Sequence, residues 1–166
     1  MTQTEWAYLP NAKHIDWVIA SVKEHPEKWD AVWVAAYYAA RGATFDAARD
    51  AAFDAAGDAA WDAAYDAAWS AAYGAARTAA WGAAWKAASD AAYDVANEAA
   101  WLAVFYAARD AIAALIAWDD CAYMIESEVD EIKILAKLGD QKALLLLPAC
   151  IVYNETKELT KASIAV

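Results

Sequence analysis

Residues 55–69 read AAGDAAWDAAYDAAW, in which two small residues, one large residue and one polar residue recur every four positions. The same pattern, here called the tetrad array, extends from Ala31 to Asp110 and fills about half of the chain. An internal repeat of this kind sets the architecture of a protein. Because alanine is the best helix former and 49 of the 166 residues are alanine, the array predicts an all-helical protein.

The four-residue period also predicts how the helices pack. An α-helix turns about 100° per residue, so each tetrad moves the pattern by about 40° around the helix axis. The aromatic stripe therefore spirals around the helix, which disfavours a long conventional coiled coil. A row of aromatic residues beside rows of alanine suits helices that cross steeply, at about −50°, with ridges packed into grooves. We predict an all-α, compact helical bundle with steep helix crossings and aromatic residues between the helices.

The chain is expected to form one all-helical domain. Its parts are lead-in helices at residues 1–30, the tetrad array at residues 31–110 and C-terminal aliphatic helices at residues 111–166. The first two helices are predicted at Ala12–Glu24 and Glu27–Arg41, because His25-Pro26 disfavours a continuous helix.

Three glycines are the expected breakpoints of the array. A single helix over the whole array and the residues that follow it would be about 130 Å long, so three or four helices are predicted instead. Gly57, Gly74 and Gly82 can separate them, although glycine inside a helix costs only about 1 kcal/mol.

Capping signals recur in the C-terminal part. Ser127 with Asp130 resembles a capping box at the start of a helix. Asp140 is predicted to cap a strongly apolar last helix over Ala143–Tyr153, and Pro148 is expected to kink or shorten it.

The acidic balance of the chain limits its partners. The formal net charge is −11, and a general grip on nucleic-acid phosphates needs clustered lysine and arginine, so direct nucleic-acid binding is not expected. An acidic protein suits basic partners, or the acids serve only to keep an apolar chain soluble. The longest stretch without Asp, Glu, Lys or Arg is residues 143–154, which is too short to span a membrane. Two cysteines and no signal peptide favour a cytoplasmic protein, in the host cell if it is encoded by a phage.

Aspartates share the four-residue period and form a candidate acidic binding face. The residues of this face are Asp54, Asp58, Asp62 and Asp66. Like charges at this spacing repel by about 0.2–0.5 kcal/mol per pair. Solvation and the helix propensity of alanine can offset the repulsion, and a basic partner or a metal ion between carboxylates are the alternatives.

All four arginines occupy the position of the tetrad that is otherwise aromatic. They are Arg41, Arg49, Arg77 and Arg109, and the tryptophans that share the register and complete the candidate ligand site are Trp61, Trp69, Trp81 and Trp85. Arginine in this position can stack on aromatic rings and pair with nearby aspartates, which is a purely structural role. Alternatively, the rings and guanidinium groups form a pocket in which a base stacks and a phosphate pairs with arginine.

No catalytic residues, metal ligands or cofactor motifs can be assigned. His14 and His25 are the only histidines and have no obvious local partner, and the motifs of zinc proteases, di-iron bundles and nucleotide-binding loops do not occur. Asp119-Asp120-Cys121 places two carboxylates beside a thiol, which could form a catalytic or magnesium site. Acids at a helix end near a buried cysteine are the commoner arrangement. Cys150 is predicted to lie in the core.

The tetrads with Ala-Ala-aromatic-Asp over residues 43–110, the segment Ala117-Trp118-Asp119-Asp120-Cys121 and the run of leucines before Pro148-Ala149 carry a resemblance. The chain resembles alanine-rich tetrad-repeat helical proteins of tailed phages and bacteria over about two thirds of its length. The resemblance implies a small phage accessory protein and brings no activity and no site residues.

The leading hypothesis is a non-enzymatic acidic binding protein, encoded by a phage or mobile element, that blocks or sequesters a host component. It would mimic DNA toward a host protein with a basic surface, or sequester a small nucleotide-like ligand. The alternative is a structural protein that self-assembles through its aromatic ridges, and a homo-oligomer is expected.

Overall fold

The computed structural model describes residues 4–41, 61–72, 75–95 and 98–164, which are mostly helical and contain no β-strand. The elements are α1 Ala12–Glu24, α2 Pro26–Arg41, α3 (residues 61–71), α4 Ala75–Val95, α5 Glu98–Ala117, a 3₁₀ turn Ala122–Met124, α6 Val129–Lys137 and α7 Gln141–Ile164. The predicted all-α class is confirmed. The predicted bounds of α1 are correct, and α2 begins one residue earlier than predicted because proline fits the first turn of a helix.

Helix α5 lies at the centre of the bundle and contacts α1, α2, α4 and α7. Its side chains are buried almost all the way round between Val104 and Ile116, with only Tyr106 and Arg109 reaching solvent. A helix that is apolar on all sides is stable only when other helices surround it. The compact helical bundle is therefore confirmed, while the steep crossing angles and the single domain stay predictions.

The spiral of the tetrad pattern is visible along α4. The exposed fraction of the aromatic residue rises from 3% at Trp81 to 41% at Trp85 and 75% at Tyr93. The second alanine of each tetrad stays buried, as at Ala80 and Ala92. A drift of about 40° per tetrad carries the large residue from the core to solvent over three tetrads. The alanines, and not the aromatic residues, therefore supply the continuous core contact of this helix.

The start of α6 differs from the predicted capping box. The Ser127 hydroxyl donates to the Tyr123 carbonyl at 2.8 Å, so it turns back toward the preceding 3₁₀ turn. Glu128 occupies the N-cap position and makes no side-chain capping bond. The capping box of Ser127 with Asp130 is therefore wrong, because the hydroxyl bonds locally to the Tyr123 carbonyl instead, which also accepts from the Glu126 amide.

The cap of α7 follows the prediction, but the helix, Gln141–Ile164, extends beyond the predicted Ala143–Tyr153 at both ends. The Asp140 carboxylate accepts a hydrogen bond from the Ala143 amide at 2.8 Å, which confirms Asp140 as the cap. Pro148 lies inside a helix that continues to Ile164, so it does not shorten the helix. The residues around Pro148, from Ala143 to Cys150, are all buried. Tertiary packing of this apolar segment offsets the hydrogen bond that proline cannot make.

Gly82 does not break the array, since it lies in the interior of α4. Gly57 and Gly74 lie outside the described residues. No helix in the described part of the chain is long and apolar enough to cross a membrane.

Replacing Gly82 by alanine is expected to stabilise the protein. A Cβ atom at Gly82 would meet no heavy atom within 4 Å, and alanine in a helix interior is favoured over glycine by about 0.5–1 kcal/mol. At about 2–4 °C per kcal/mol for a chain of this size, thermal unfolding followed by circular dichroism should move up by about 1–4 °C.

Gly139 is the matched control for that substitution. It also has open space for an added methyl group, but its φ is +86°, a conformation that only glycine adopts without strain. Gly139→Ala should therefore lower the melting temperature. A rise at Gly139, or no change at Gly82, would contradict the argument from backbone conformation.

Candidate functional site

The structure brings one of the predicted arginines into a cluster of rings and carboxylates. Arg109 of α5 lies with its guanidinium carbon 4.2 Å from the ring centre of Tyr65 and 4.7 Å from that of Tyr106. Its Nε and Nη2 atoms donate to Oδ1 of Asp110 at 3.2 and 3.0 Å. We call these four residues the Arg109 cluster. It joins α3 to α5 through cation–π contacts.

The carboxylate of the Arg109 cluster is buried. Only 2% of Asp110 is exposed, and burial raises the pKa of this carboxyl group from 3.8 to about 6, with Arg109 opposing the rise and nearby Asp62 adding to it. Both bonds from Arg109 go to Oδ1, and no donor among the described residues reaches the other oxygen. Burial also raises the pKa of Tyr65. The guanidinium charge is therefore matched inside the cluster.

Arg77 has a different environment, at the C-terminus of α5. Its Nη1 donates to the Ile116 carbonyl, and its Nη2 lies 3.0 and 3.2 Å from the two oxygens of Asp119. The last carbonyls of a helix have no partner within the helix, and a cation there also favours the helix dipole. Arg77 thus has a structural role in the described contacts.

The remaining two arginines are Arg41 and Arg49. Arg41 is the last residue of α2. Its side chain, together with Arg49, lies outside the described residues. Arg77 and Arg109 contact different partners, so the structure does not bring these two arginines together in one pocket.

The four predicted tryptophans divide into two buried and two exposed rings. Trp61 and Trp81 are 7% and 3% exposed, whereas Trp69 and Trp85 are 46% and 41% exposed. The Trp69 ring packs edge-on against Trp81 with 4.8 Å between ring centres. Trp85 packs against Phe105 in the same way at 5.4 Å. The buried rings hold the exposed ones in fixed positions.

Asp62, Asp66 and Trp69 form what we call the aromatic–acidic face of α3. They are spaced i, i+4 and i+7, so they project from the same side of the helix, and all three are exposed. Neither carboxylate makes an ion pair with another described residue. Asp54 and Asp58 of the predicted acidic face lie outside the described residues.

The charges around this face favour a cationic rather than an anionic ligand. Asp62 and Asp66 have no ion-pair partner in the part of the chain that the structure describes, while Arg109 already pairs with Asp110. An indole ring attracts cations through its negative face, and carboxylates do so directly. A phosphate group would have to compete with Asp110 for the guanidinium group.

The Asp119-Asp120-Cys121 segment has a structural role. Asp119 pairs with Arg77, and Asp120 accepts a bond from Lys142 at 2.9 Å. Burial raises the pKa of the Cys121 thiol to about 12 and that of the Cys150 thiol to about 11. Both thiols are therefore protonated at neutral pH and are poor nucleophiles.

The described part of the chain contains no candidate metal site, and its two histidines lie near the surface. No three acidic, histidine or cysteine side chains are grouped there in a way that could hold a metal ion. His14 lies 3.6 Å from Glu126, and His25 lies about 4 Å from Glu24 and Glu27. The histidines face exposed glutamates at the surface.

Three buried polar residues in the described part of the chain, Asn11, Ser21 and Asp110, were not predicted from the sequence. Asn11 donates to the Leu115 and Trp118 carbonyls and is 4% exposed. Its position directly before α1 would favour only a local N-cap, and its side chain makes no capping bond there. Asp110 does carry a signal, because alanine occupies the positions three residues before it and three and four residues after it, and most of the neighbouring helix is apolar. An acid in a helix that is apolar all round is expected to be buried.

Comparison of this chain with protein-family models, curated proteins and solved structures finds no match. The resemblance to tetrad-repeat proteins of phages and bacteria therefore stays a prediction, and the functional argument depends on this chain's own residues.

Proposed function

We propose that this protein is a non-enzymatic acidic binding protein and that the aromatic–acidic face of α3 binds a basic surface of a partner protein. The observation that carries the proposal is the joint exposure of Asp62, Asp66 and Trp69 on one side of the helix. Two carboxylates and an indole ring match a surface rich in lysine or arginine, since both attract cations.

Preorganisation of the indole ring supports the proposal. Trp69 is held against the buried Trp81 at 4.8 Å between ring centres, so little side-chain freedom is lost when a partner covers it. Binding surfaces gain affinity when their anchors are already fixed before the partner arrives. Partly exposed tryptophans are also frequent among the residues that dominate binding energy.

The overall charge supports a basic partner as well. A net charge of −11 speeds the encounter with a positively charged surface and disfavours an approach to nucleic acid. Asp62 and Asp66 are separated by about 6 Å along the helix axis, close to the spacing of backbone phosphates. A DNA-mimicking protein that occupies the basic groove of a host DNA-binding protein is the version of this proposal that fits the aspartate spacing.

The nucleotide-sequestering version has less support. Arg77 bonds to a helix carbonyl and Asp119, and Arg109 bonds to Asp110. A phosphate would have to displace a carboxylate from either guanidinium group. An origin in a phage or mobile element and a cytoplasmic location remain parts of the proposal.

The double substitution Asp62→Asn and Asp66→Asn is expected to weaken binding to a fluorescently labelled oligo-arginine peptide by about tenfold, since two exposed ion pairs contribute roughly 0.5–1 kcal/mol each. Trp69→Ala should weaken binding further. Fluorescence anisotropy at near-physiological salt measures both effects, and the affinity should fall as salt is raised.

Glu24→Gln with Glu27→Gln is the matched control, because it removes the same charge from exposed residues outside α3 and α6. These changes should leave peptide binding within about twofold of the unmodified protein. Equal losses in both double variants would indicate attraction to net charge alone, and the assignment to α3 would then be wrong.

A further inference from the structure

Helix α6 exposes apolar side chains on a face that no other described element covers. Ile134 is 59% exposed and Leu138 is 79% exposed, whereas Ile132 and Ala136 are buried on the opposite side, toward α7 and α2. The two exposed residues are spaced i and i+4, so they form one short apolar ridge. An exposed apolar ridge next to charged residues is typical of an interaction surface.

Opposite charges flank this ridge at its two ends. Asp130 lies in the first turn of α6 and Lys137 in the last turn, and both are exposed. They are seven residues apart, which is close to two full turns, so they lie on the same flank of the ridge. Neither makes an ion pair with another described residue.

We propose that α6 pairs antiparallel with α6 of a second copy of this chain across a two-fold axis that passes near Ile134. In this arrangement Ile134 packs on its own counterpart, and Asp130 of each copy lies level with Lys137 of the partner subunit. Residues seven apart on one flank meet in this way when two helices run antiparallel, because the two-fold axis exchanges the ends and keeps the flank. Leu138 then covers the methylene groups of Glu131 of the partner subunit.

Charge complementarity identifies a second copy as the occupant. The order acid, apolar, base along one helix face is its own complement only when the second helix is reversed. A two-fold interface uses the same patch on both subunits, so two equivalent ion pairs form at once. A partner with a uniformly basic or uniformly acidic helix would satisfy only one end of α6.

The small size of the surface makes the dimer weak. Helix α6 has nine residues and is about 13 Å long, so its exposed face is too small to bury the roughly 800 Å² per partner of a standard stable interface. Repulsion between two copies of an acidic chain also weakens the dimer. We expect a concentration-dependent dimer with a dissociation constant on the order of 10–100 μM. The pairing uses none of the residues of the aromatic–acidic face, so its test and that of the proposed function fail independently.

Sedimentation velocity over about a hundredfold range of protein concentration, at fixed near-physiological salt, tests the proposal. Ile134→Lys, Asp130→Lys and Lys137→Asp should each weaken association by at least about tenfold. The double variant that combines Asp130→Lys with Lys137→Asp exchanges the charges and should restore association to within about threefold of the unmodified protein. Asp130→Asn provides a milder variant in case lysine destabilises the first turn of α6.

Lys23→Asp is the matched control, because it makes the same charge change on an exposed residue of α1. It should leave the concentration dependence unchanged, and circular dichroism confirms that each variant is folded. A protein that stays monomeric at all concentrations would overturn the proposal. So would a dimer that the α6 variants leave intact, or single losses that the charge exchange does not restore.

Discussion

Replacing Asn11 by alanine is expected to lower the free energy of unfolding by about 2–4 kcal/mol, because buried carbonyl groups then lose their donor. The Asn11 Nδ2 atom donates to the Leu115 carbonyl at 2.9 Å and to the Trp118 carbonyl at 2.8 Å. Leu115 lies in the last turn of α5 and Trp118 directly follows this helix, where carbonyl groups have no donor within the helix. The Trp118 carbonyl also accepts from the Cys121 thiol at 3.2 Å, so the larger loss is expected at the Leu115 carbonyl. With Asn11 only 4% exposed, water cannot easily take over.

Asn11→Asp should be more damaging at neutral pH than Asn11→Ala. A carboxylate only accepts hydrogen bonds, so it would face two carbonyl oxygens with no donor between them, and the cost of a buried unpaired charge adds to the loss. Urea unfolding measures both variants. At about 2–4 °C per kcal/mol, the alanine variant should melt about 4–16 °C lower.

Asn154→Ala is the matched control for Asn11. Its Nδ2 also donates to two carbonyls, those of Ser127 and Cys150, but Asn154 is only half-buried, so water can replace the lost donor. Asn154→Ala should lower the free energy of unfolding clearly less than Asn11→Ala does. Equal costs at the two positions would show that burial of the cap at α5 does not decide the effect.

The cap on α5 shows where prediction from sequence reaches its limit. Asn11 lies 104 residues from Leu115 in the chain, and its contact depends on the packing of the lead-in segment against the end of α5. Local signals such as His25-Pro26 and Asp140 predict helix ends correctly because their physical effects act within one turn. Asn11 has no such local effect, so only the folded chain reveals it.

The tetrad array also has features that its sequence predicts and features that only packing decides. Its period alone predicts the drift that exposes Tyr93 and buries Trp81, because the drift is a property of one helix. The period does not predict that Gly82 lies inside α4 or that Arg77 caps α5, since these depend on which helices meet. Pro148 is the same kind of case: the local rule expects a kinked or shortened helix, and the buried segment around Pro148 keeps the helix from ending there.

The candidate site was predictable in its residue types and only in part in its arrangement. The sequence places Arg109 in an aromatic register, and the structure stacks it on Tyr65 and Tyr106. The sequence does not predict that Asp110 takes up the guanidinium charge, because Asp110 occupies the polar register that is exposed elsewhere. The pairing of Arg109 with Asp110 counts against the anion-binding pocket that the arginine register suggested, and leaves the basic partner expected for the acidic face.

The buried carboxyl group of Asp110 is expected to make the protein less stable as pH rises toward neutral. Its pKa is raised from 3.8 to about 6 in the folded state, so between these values the folded chain binds more protons than the unfolded chain. Stability must then fall as pH rises through this window. At 1.36 kcal/mol per pKa unit the contribution of Asp110 amounts to about 3 kcal/mol over the full range, and to about 1–2 kcal/mol between about pH 5 and pH 7.5.

Asp110→Asn isolates this contribution, because asparagine keeps the shape and the acceptor for Arg109 but does not titrate. The difference in unfolding free energy between the variant and the unmodified protein, measured by urea unfolding at several pH values, should grow by about 1–2 kcal/mol from about pH 5 to about pH 7.5. Asn154→Ala is the control, since it removes no titrating group, and its difference from the unmodified protein should stay nearly constant with pH over this range.

The pH profiles separate two accounts of the ion pair between Arg109 and Asp110. Asp120, whose pKa is lowered by its bond with Lys142, acts in the opposite direction, but it is common to all three proteins and cancels in the differences. Parallel profiles for Asp110→Asn and the unmodified protein would mean that Arg109 fully compensates the burial of the carboxylate. Diverging profiles would mean that desolvation outweighs the ion pair, so that α3 and α5 are joined most firmly when Asp110 is protonated.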